Sequence, residues 1–216
     1  MVGLLTTVTE PFRRVSMHGV REELLEAQAD AAGLPVYRVP IPAPCPNEVY
    51  EDAMCKALEA AKQERVTQMI FGDLFLEDVR AYRERMLDGS GIAPQFPLWG
   101  RPTRQLAEEM IAAGLVAHVT CLDPKKVPRE LAGRQFDRDF LARLPAEVDP
   151  CAERGEFHTC VSAGPMLCRP IPVAVGETVE RDGFVFADLT LTQRNGPEPT
   201  GGQARPLSGM ARADRT

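Results

Sequence analysis

What most restricts the fold of this chain is an alternation that repeats four times in its first 122 residues: a short apolar run, then apolar residues at helical spacing. Residues 2–8, 36–41, 68–71 and 115–121 are runs of strand length, and a further strand is expected just before Pro97. Between them, Val20, Leu24, Ala27 and Ala31 fall on one face of a helix, as do Tyr50, Met54, Leu58 and Ala61. Val79, Tyr82 and Met86 make a third stripe, and Leu106, Met110 and Ala113 a fourth. Asn47 follows a Pro-rich loop and is the expected N-cap of the second helix. Strands that alternate with helices are joined by right-handed crossovers, so the expectation is α/β with a doubly wound parallel sheet.

From Leu122 the pattern changes to a charged connector with a helix at 136–144, then to short strands between Gly and Pro. Segments 157–161, 171–175 and 179–181, the last turning through Asp182 and Gly183 into 184–186, read as antiparallel strands. The chain is therefore divided into a nucleotide-binding-type domain at 1–122, a small β-rich C-terminal domain at 123–192 and a disordered tail at 193–216. With 216 residues, 44% of them hydrophobic, it is long enough for one substantial core and a smaller one. A formal net charge of -6 argues against a broad nucleic-acid-binding face. No apolar run approaches membrane-spanning length and residues 1–8 lack the form of a signal peptide, so a cytosolic protein is expected. The six cysteines include no Cys-x-x-Cys pair, and Cys151, His158, Cys160 and Cys168 lack a familiar metal spacing; no metal site is assigned.

Ligands of open α/β sheets bind beyond the carboxyl ends of the strands. Those ends put forward Thr6 and Thr7 after the first run and Gly72 and Asp73 after the third. The run Pro97-Leu98-Trp99-Gly100-Arg101 sets the chain's one tryptophan two residues from a guanidinium, with Gly100 between them, a combination that can stack a ring and clamp an anion. Further on, Glu156 and His158 share a face if their segment is extended, and a carboxylate beside an imidazole can handle protons. Each motif also has a structural explanation: a core Trp with a surface Arg, satisfied strand ends, a helix-start His18 and a solvated strand end.

Together these pieces resemble the diphthine-ammonia ligase family and its bacterial relatives, ATP-binding proteins of the adenine nucleotide alpha hydrolase (HUP) type. The resemblance is carried by Met17-His18, Gly33-Leu34-Pro35, Gly72-Asp73, the PLWGR run, Gly133-Arg134, and Gly155-Glu156-Phe157-His158-Thr159. Gly164-Pro165-Met166 and the stretch from Asp182 to Leu189 resemble the bacterial branch. It implies that ATP, with Mg2+, adenylates a carboxylate and that ammonia then displaces AMP to leave an amide. On that reading Thr6, Thr7, His18, Gly72 and Asp73 line the nucleotide, Trp99 and Gly100 face the substrate cleft, and Glu156, His158, Thr159 and Arg101 serve the chemistry. The carboxylate acceptor is left open.

The chain departs from the family in one respect. The family's first strand and its Ser-Gly-Gly-Lys-Asp-Ser loop, where backbone N–H groups and a lysine hold the phosphates, have no counterpart here. Residues 2–8 correspond to the family's second strand, so two half-sheets with exposed edges and a homo-oligomer are expected. Either the start codon stands one βα unit too late or the chain is a true fragment. The rival function is a non-catalytic nucleotide or small-molecule binding module that has lost turnover with the loop. Sulfur transfer to tRNA through Cys151 or Cys160 ranks last.

Overall fold

The computed structural model describes residues 1–192, and the tail expected at 193–216 lies outside them. Strand β1 (Leu4–Thr9) runs parallel to β3 (Val36–Ile41) along its whole length, from Leu4 opposite Val36 to Thr9 opposite Ile41. Its other edge is paired only at the end, where Val8 and Thr9 meet the two-residue antiparallel strand β2 (Arg14–Val15). A second parallel pair, β4 (Gln68–Ile70) with β5 (Ala93–Gln95), forms a separate two-stranded sheet.

The helices come where the stripes place them: α1 (Glu22–Ala32), α2 (Asn47–Gln63), α3 (Glu77–Leu87) and α4 (Thr103–Ala112). Asn47 opens α2 from inside, with Pro46 at the cap position, and its amide is used on Glu51 one turn on. The helix expected at 136–144 is shorter, α5 (Arg138–Arg143), and Asp137 caps it by accepting from the Phe140 N–H at 2.8 Å.

The remaining strands, β6 (Val116–Leu122), β7 (Phe157–Ala163), β8 (Val173–Arg181) and β9 (Phe184–Leu191), form one antiparallel sheet in the order β7-β6-β9-β8. The fold is thus mixed α/β, with three small sheets in place of one doubly wound parallel sheet. β6, expected as the last member of the parallel series, sits instead between β7 and β9 with antiparallel neighbours on both sides. Its last four residues are all buried, so its apolar run is continuous. A continuous run is also what a buried parallel strand shows, and periodicity cannot distinguish the two. The strands expected at 171–175 and 179–181 are one strand, β8, with a register shift between Val175 and Thr178.

The largest core lies under the antiparallel sheet, where Val119, Leu122, Phe140, Phe157 and Val185 pack with Ala107 of α4. α1 is a shared wall. Leu25 and Ala29 face Val8 and Val36 on one side, while Leu24 and Ala31 face Cys160, Ile171 and Leu189 on the other. Burying a leucine completely is worth about 1.5–3 kcal/mol, so α1 joins the two parts of the chain by hydrophobic contact as well as by sequence. The Gln28 amide adds a 2.7 Å hydrogen bond to the Val161 carbonyl.

Candidate functional site

Two loops of the first half meet the antiparallel sheet, and the expected site residues divide between them. The first is the turn from β2 to α1. It is made by Met17 and Gly19, both with positive φ (65° and 66°), and a Cβ on Gly19 would stand 2.8 Å from the Phe186 ring. The turn delivers His18 onto β7, where its ring lies 4.5 Å from that of His158, tilted by 43°. The His18 side chain also hydrogen-bonds to the Thr159 backbone. Burial lowers the pKa of His18 below its ordinary value. It lowers that of His158 to about 4, with the adjacent His18 as the second cause. Both shifts favour the neutral imidazole.

Arg14 and Arg21 close this turn from below by converging on Asp188 of β9. Arg14 donates to its Oδ1 at 2.9 Å, and Arg21 donates to Oδ2 at 2.6 Å. The Arg21 hydrogen bond is the main reason that Asp188 titrates below the usual carboxylate range.

The second loop follows β4. Leu74 and Phe75 both donate their N–H groups to Glu153 Oε1, at 2.7 and 3.3 Å, and the Arg154 guanidinium lies 5.2 Å from the centre of the Phe75 ring. Gly100 donates its N–H to the Leu74 carbonyl at 2.8 Å. Asp73 Oδ2 forms an ion pair with Arg83 Nε at 3.7 Å, too far for a hydrogen bond, and is buried without a hydrogen-bond partner. Beside it, Phe71, Phe96 and Trp99 form a half-buried aromatic cluster with centroid separations of 5.5 and 6.1 Å. Arg80 covers Phe96 and Trp99 at 4.9 and 4.7 Å, and Arg83 covers Phe71 at 5.0 Å.

Comparison with protein-family models and with curated proteins found no match.

The geometry therefore unites His18, His158 and Thr159, and it brings Gly72 and Asp73 close along the chain to the Trp99 cluster through the bond between Leu74 and Gly100. It separates the others. Thr6 and Thr7 lie inside β1, which runs on to Thr9, opposite Arg38 and Val39. The strand end is made instead by Thr9, whose hydroxyl meets that of Ser16 at 3.0 Å. Arg101 points to the surface and pairs with Glu109 of α4 at 2.6 Å. Glu156 does not share a face with His158. It is 2% exposed and turns back into its own loop, accepting from the N–H groups of Asp149 and Arg154 at 3.3 and 3.0 Å. Residue 156 stands before β7 begins, so strand alternation does not govern its side chain.

Sequence reasoning missed Glu153, Arg80 and Arg83. The two arginines, one helical turn apart and opposite the apolar stripe, were a usable sign; only tertiary contact shows the aromatic faces they cover. The described residues offer no set of three His, Cys, Asp or Glu side chains fit for a metal, and none of their helices is long and apolar enough to cross a membrane. Rings and the Asp73 carboxylate, ion-paired with Arg83, stand beyond β4 and β5, while Glu153 already occupies the N–H pair that could take an anion.

Proposed function

We propose that the chain is a relative of the ATP-dependent amide ligases it resembles, with a nucleotide beyond the carboxyl ends of β4 and β5 and the acceptor carboxylate and ammonia at His158. The observation that carries this reading is the pair of parallel half-sheets. Among the described residues, β1 is open along one edge through Leu5, and β4 is open on the edge away from β5. Leu5 and Met69 both pack in clusters that include Met86 of α3, so the two strands stand over the same helical layer. One further parallel strand between them would complete a doubly wound sheet, and a phosphate loop leaving that strand would reach the ends of its neighbours. In this reading such a strand and loop hold the phosphates.

The residues present would have limited roles. His158, neutral at pH 7, can take a proton from an attacking amine, and His18 sets its position. Glu156 positions His158 by fixing the loop before β7. Trp99 offers a ring face once Arg80 moves aside. Arg101 contributes only by leaving Glu109.

The test uses the protein joined to a strand and phosphate loop of the family type, supplied with ATP, ammonia and a panel of carboxylates. AMP and pyrophosphate are expected, and His158→Asn should lower kcat and kcat/KM together by about a hundredfold or more. Trp99→Ala should chiefly raise KM. ADP and phosphate would reject adenylation. One observation favours a second reading, a binding module without turnover: Glu153 fills the anion-binding N–H pair. Saturable nucleotide binding with no cleavage would establish that module.

A further inference from the structure

We propose that the turn carrying His18 is an acid-released latch: it stays docked on β7 while His18 and His158 are neutral, and protonation of either ring frees it. The inference concerns attachment and holds whatever reaction the site performs.

The geometry isolates the latch. Residues 16–21 join β2 to α1; the tip of the turn reaches the antiparallel sheet through His18 against His158, the bond from His18 to the Thr159 backbone, and Gly19 under Phe186, while Val20 behind it is buried with Cys160, Ile171 and Leu189. The root of the turn is held separately, by Arg14 donating to the Gly19 carbonyl at 2.6 Å and by Arg14 and Arg21 on Asp188. The tip can therefore lift while its root remains anchored. Two positive φ angles, one of them at the non-glycine Met17, make the tip conformation one that the local chain does not prefer by itself.

Among the described residues no carboxylate is paired with either imidazole, Asp123 acting on Cys121 instead, and the one contact that favours a charged ring, the bond from His18 to the Thr159 backbone, is outweighed by burial. The charged groups about the root are already in ion pairs: Asp188 with Arg14 and Arg21, Glu22 with Arg13 and Arg38, and Glu23 with Arg21. On the sheet, Cys121 lies opposite His158 on β6, and Cys160 lies two residues along β7. Burial pushes their thiols up to about 12 and 11, so neither supplies a negative charge. His118, opposite Cys160, is itself held below its ordinary value by burial and brings no anion. A proton on His18 or His158 would thus be buried without a counter-charge and beside a second imidazole.

The sign follows from linkage. The docked state binds fewer protons than the released one, so docking is fully favourable above the ordinary histidine value of 6.5 and is lost as pH falls toward about 4. For His158 alone, acidifying from pH 7.5 to 5 should weaken docking about thirtyfold.

Two measurements on the intact chain test this. In NMR titrations of the three histidines, the His18 and His158 ring signals should both have midpoints below the ordinary histidine value of 6.5. A midpoint of 6.5 or higher for either ring would overturn the proposal. In hydrogen exchange, corrected for the intrinsic effect of pH, the amides of His18 and Gly19 should lose protection between pH 7.5 and 5 while those of β6 keep theirs. Unchanged protection at these amides, or loss shared equally by β6, would also overturn it. The double variant H18Q/H158Q should abolish the pH dependence. If the variant folds and keeps that dependence, the latch is wrong; if it does not fold, the wild-type titration and exchange still decide.

Discussion

Glu156 and Glu153 are two carboxylates of one loop with different functions, and the difference comes from which backbone N–H groups each meets. Glu156 satisfies two donors of its own loop inside the protein, so Glu156→Ala would leave both without their partner. A loss of about 2–4 kcal/mol in urea unfolding is expected. Glu153 reaches to Leu74 and Phe75 in the other half of the chain, and Glu153→Ala should mainly loosen the loop after β4. Faster amide exchange at Leu74 and Phe75, with little change in the unfolding midpoint, would show this. Asp188→Asn should cost about 1 kcal/mol at pH 7, a modest figure because Arg14 and Arg21 are partly solvated. Its folded-state pKa is depressed, so the wild-type contribution is present above about pH 4 and disappears in stronger acid. Stability curves of the two proteins against pH should therefore converge at low pH.

At the scale of elements, the sheet of β6 to β9 tolerates very little added volume where loops cross it. Gly133 has φ 76°, and a Cβ there would approach Val175 Cγ1 to 2.7 Å and Ala187 Cβ to 3.4 Å. Gly133→Ala combines backbone strain with overpacking, and a loss of about 2–3 kcal/mol is expected in denaturant unfolding. Gly19→Ala is a sharper probe, because it pushes the turn away from Phe186 and carries His18 with it. The change should separate His18 from His158, seen as a shift of the His158 ring signal toward its ordinary titration range.

At the scale of the molecule, the edges of β1 and β4 carry backbone donors and acceptors that no described strand pairs, and Ile70 on β4 is 56% exposed. Association that grows with protein concentration is expected, detectable by sedimentation velocity. Ile70→Lys should reduce it without lowering stability, since the side chain buries little and a lysine on an open edge discourages pairing. A concentration-independent monomer would contradict this.

The sequence by itself determined the helices of the first half and its strands apart from the two-residue β2, the sharp loops after β4 and β5, and the β-rich style after Leu122, because side-chain periodicity and turn residues act over a few neighbours. It also put His18, His158 and Thr159 forward as candidates, through a resemblance in motif. Tertiary structure decided the rest. Only strand pairing shows that β6 belongs to an antiparallel sheet, since a strand buried on both faces carries the same apolar run with either kind of partner. Only contact across more than a hundred residues shows that His18 packs against His158 and that Asp188 gathers Arg14 and Arg21, and only the folded loop before α4 shows that Arg80 covers Trp99 from the preceding helix. The direction of a side chain outside a regular element, as for Glu156, depends on which donors the folded loop presents to it, and no local pattern encodes that.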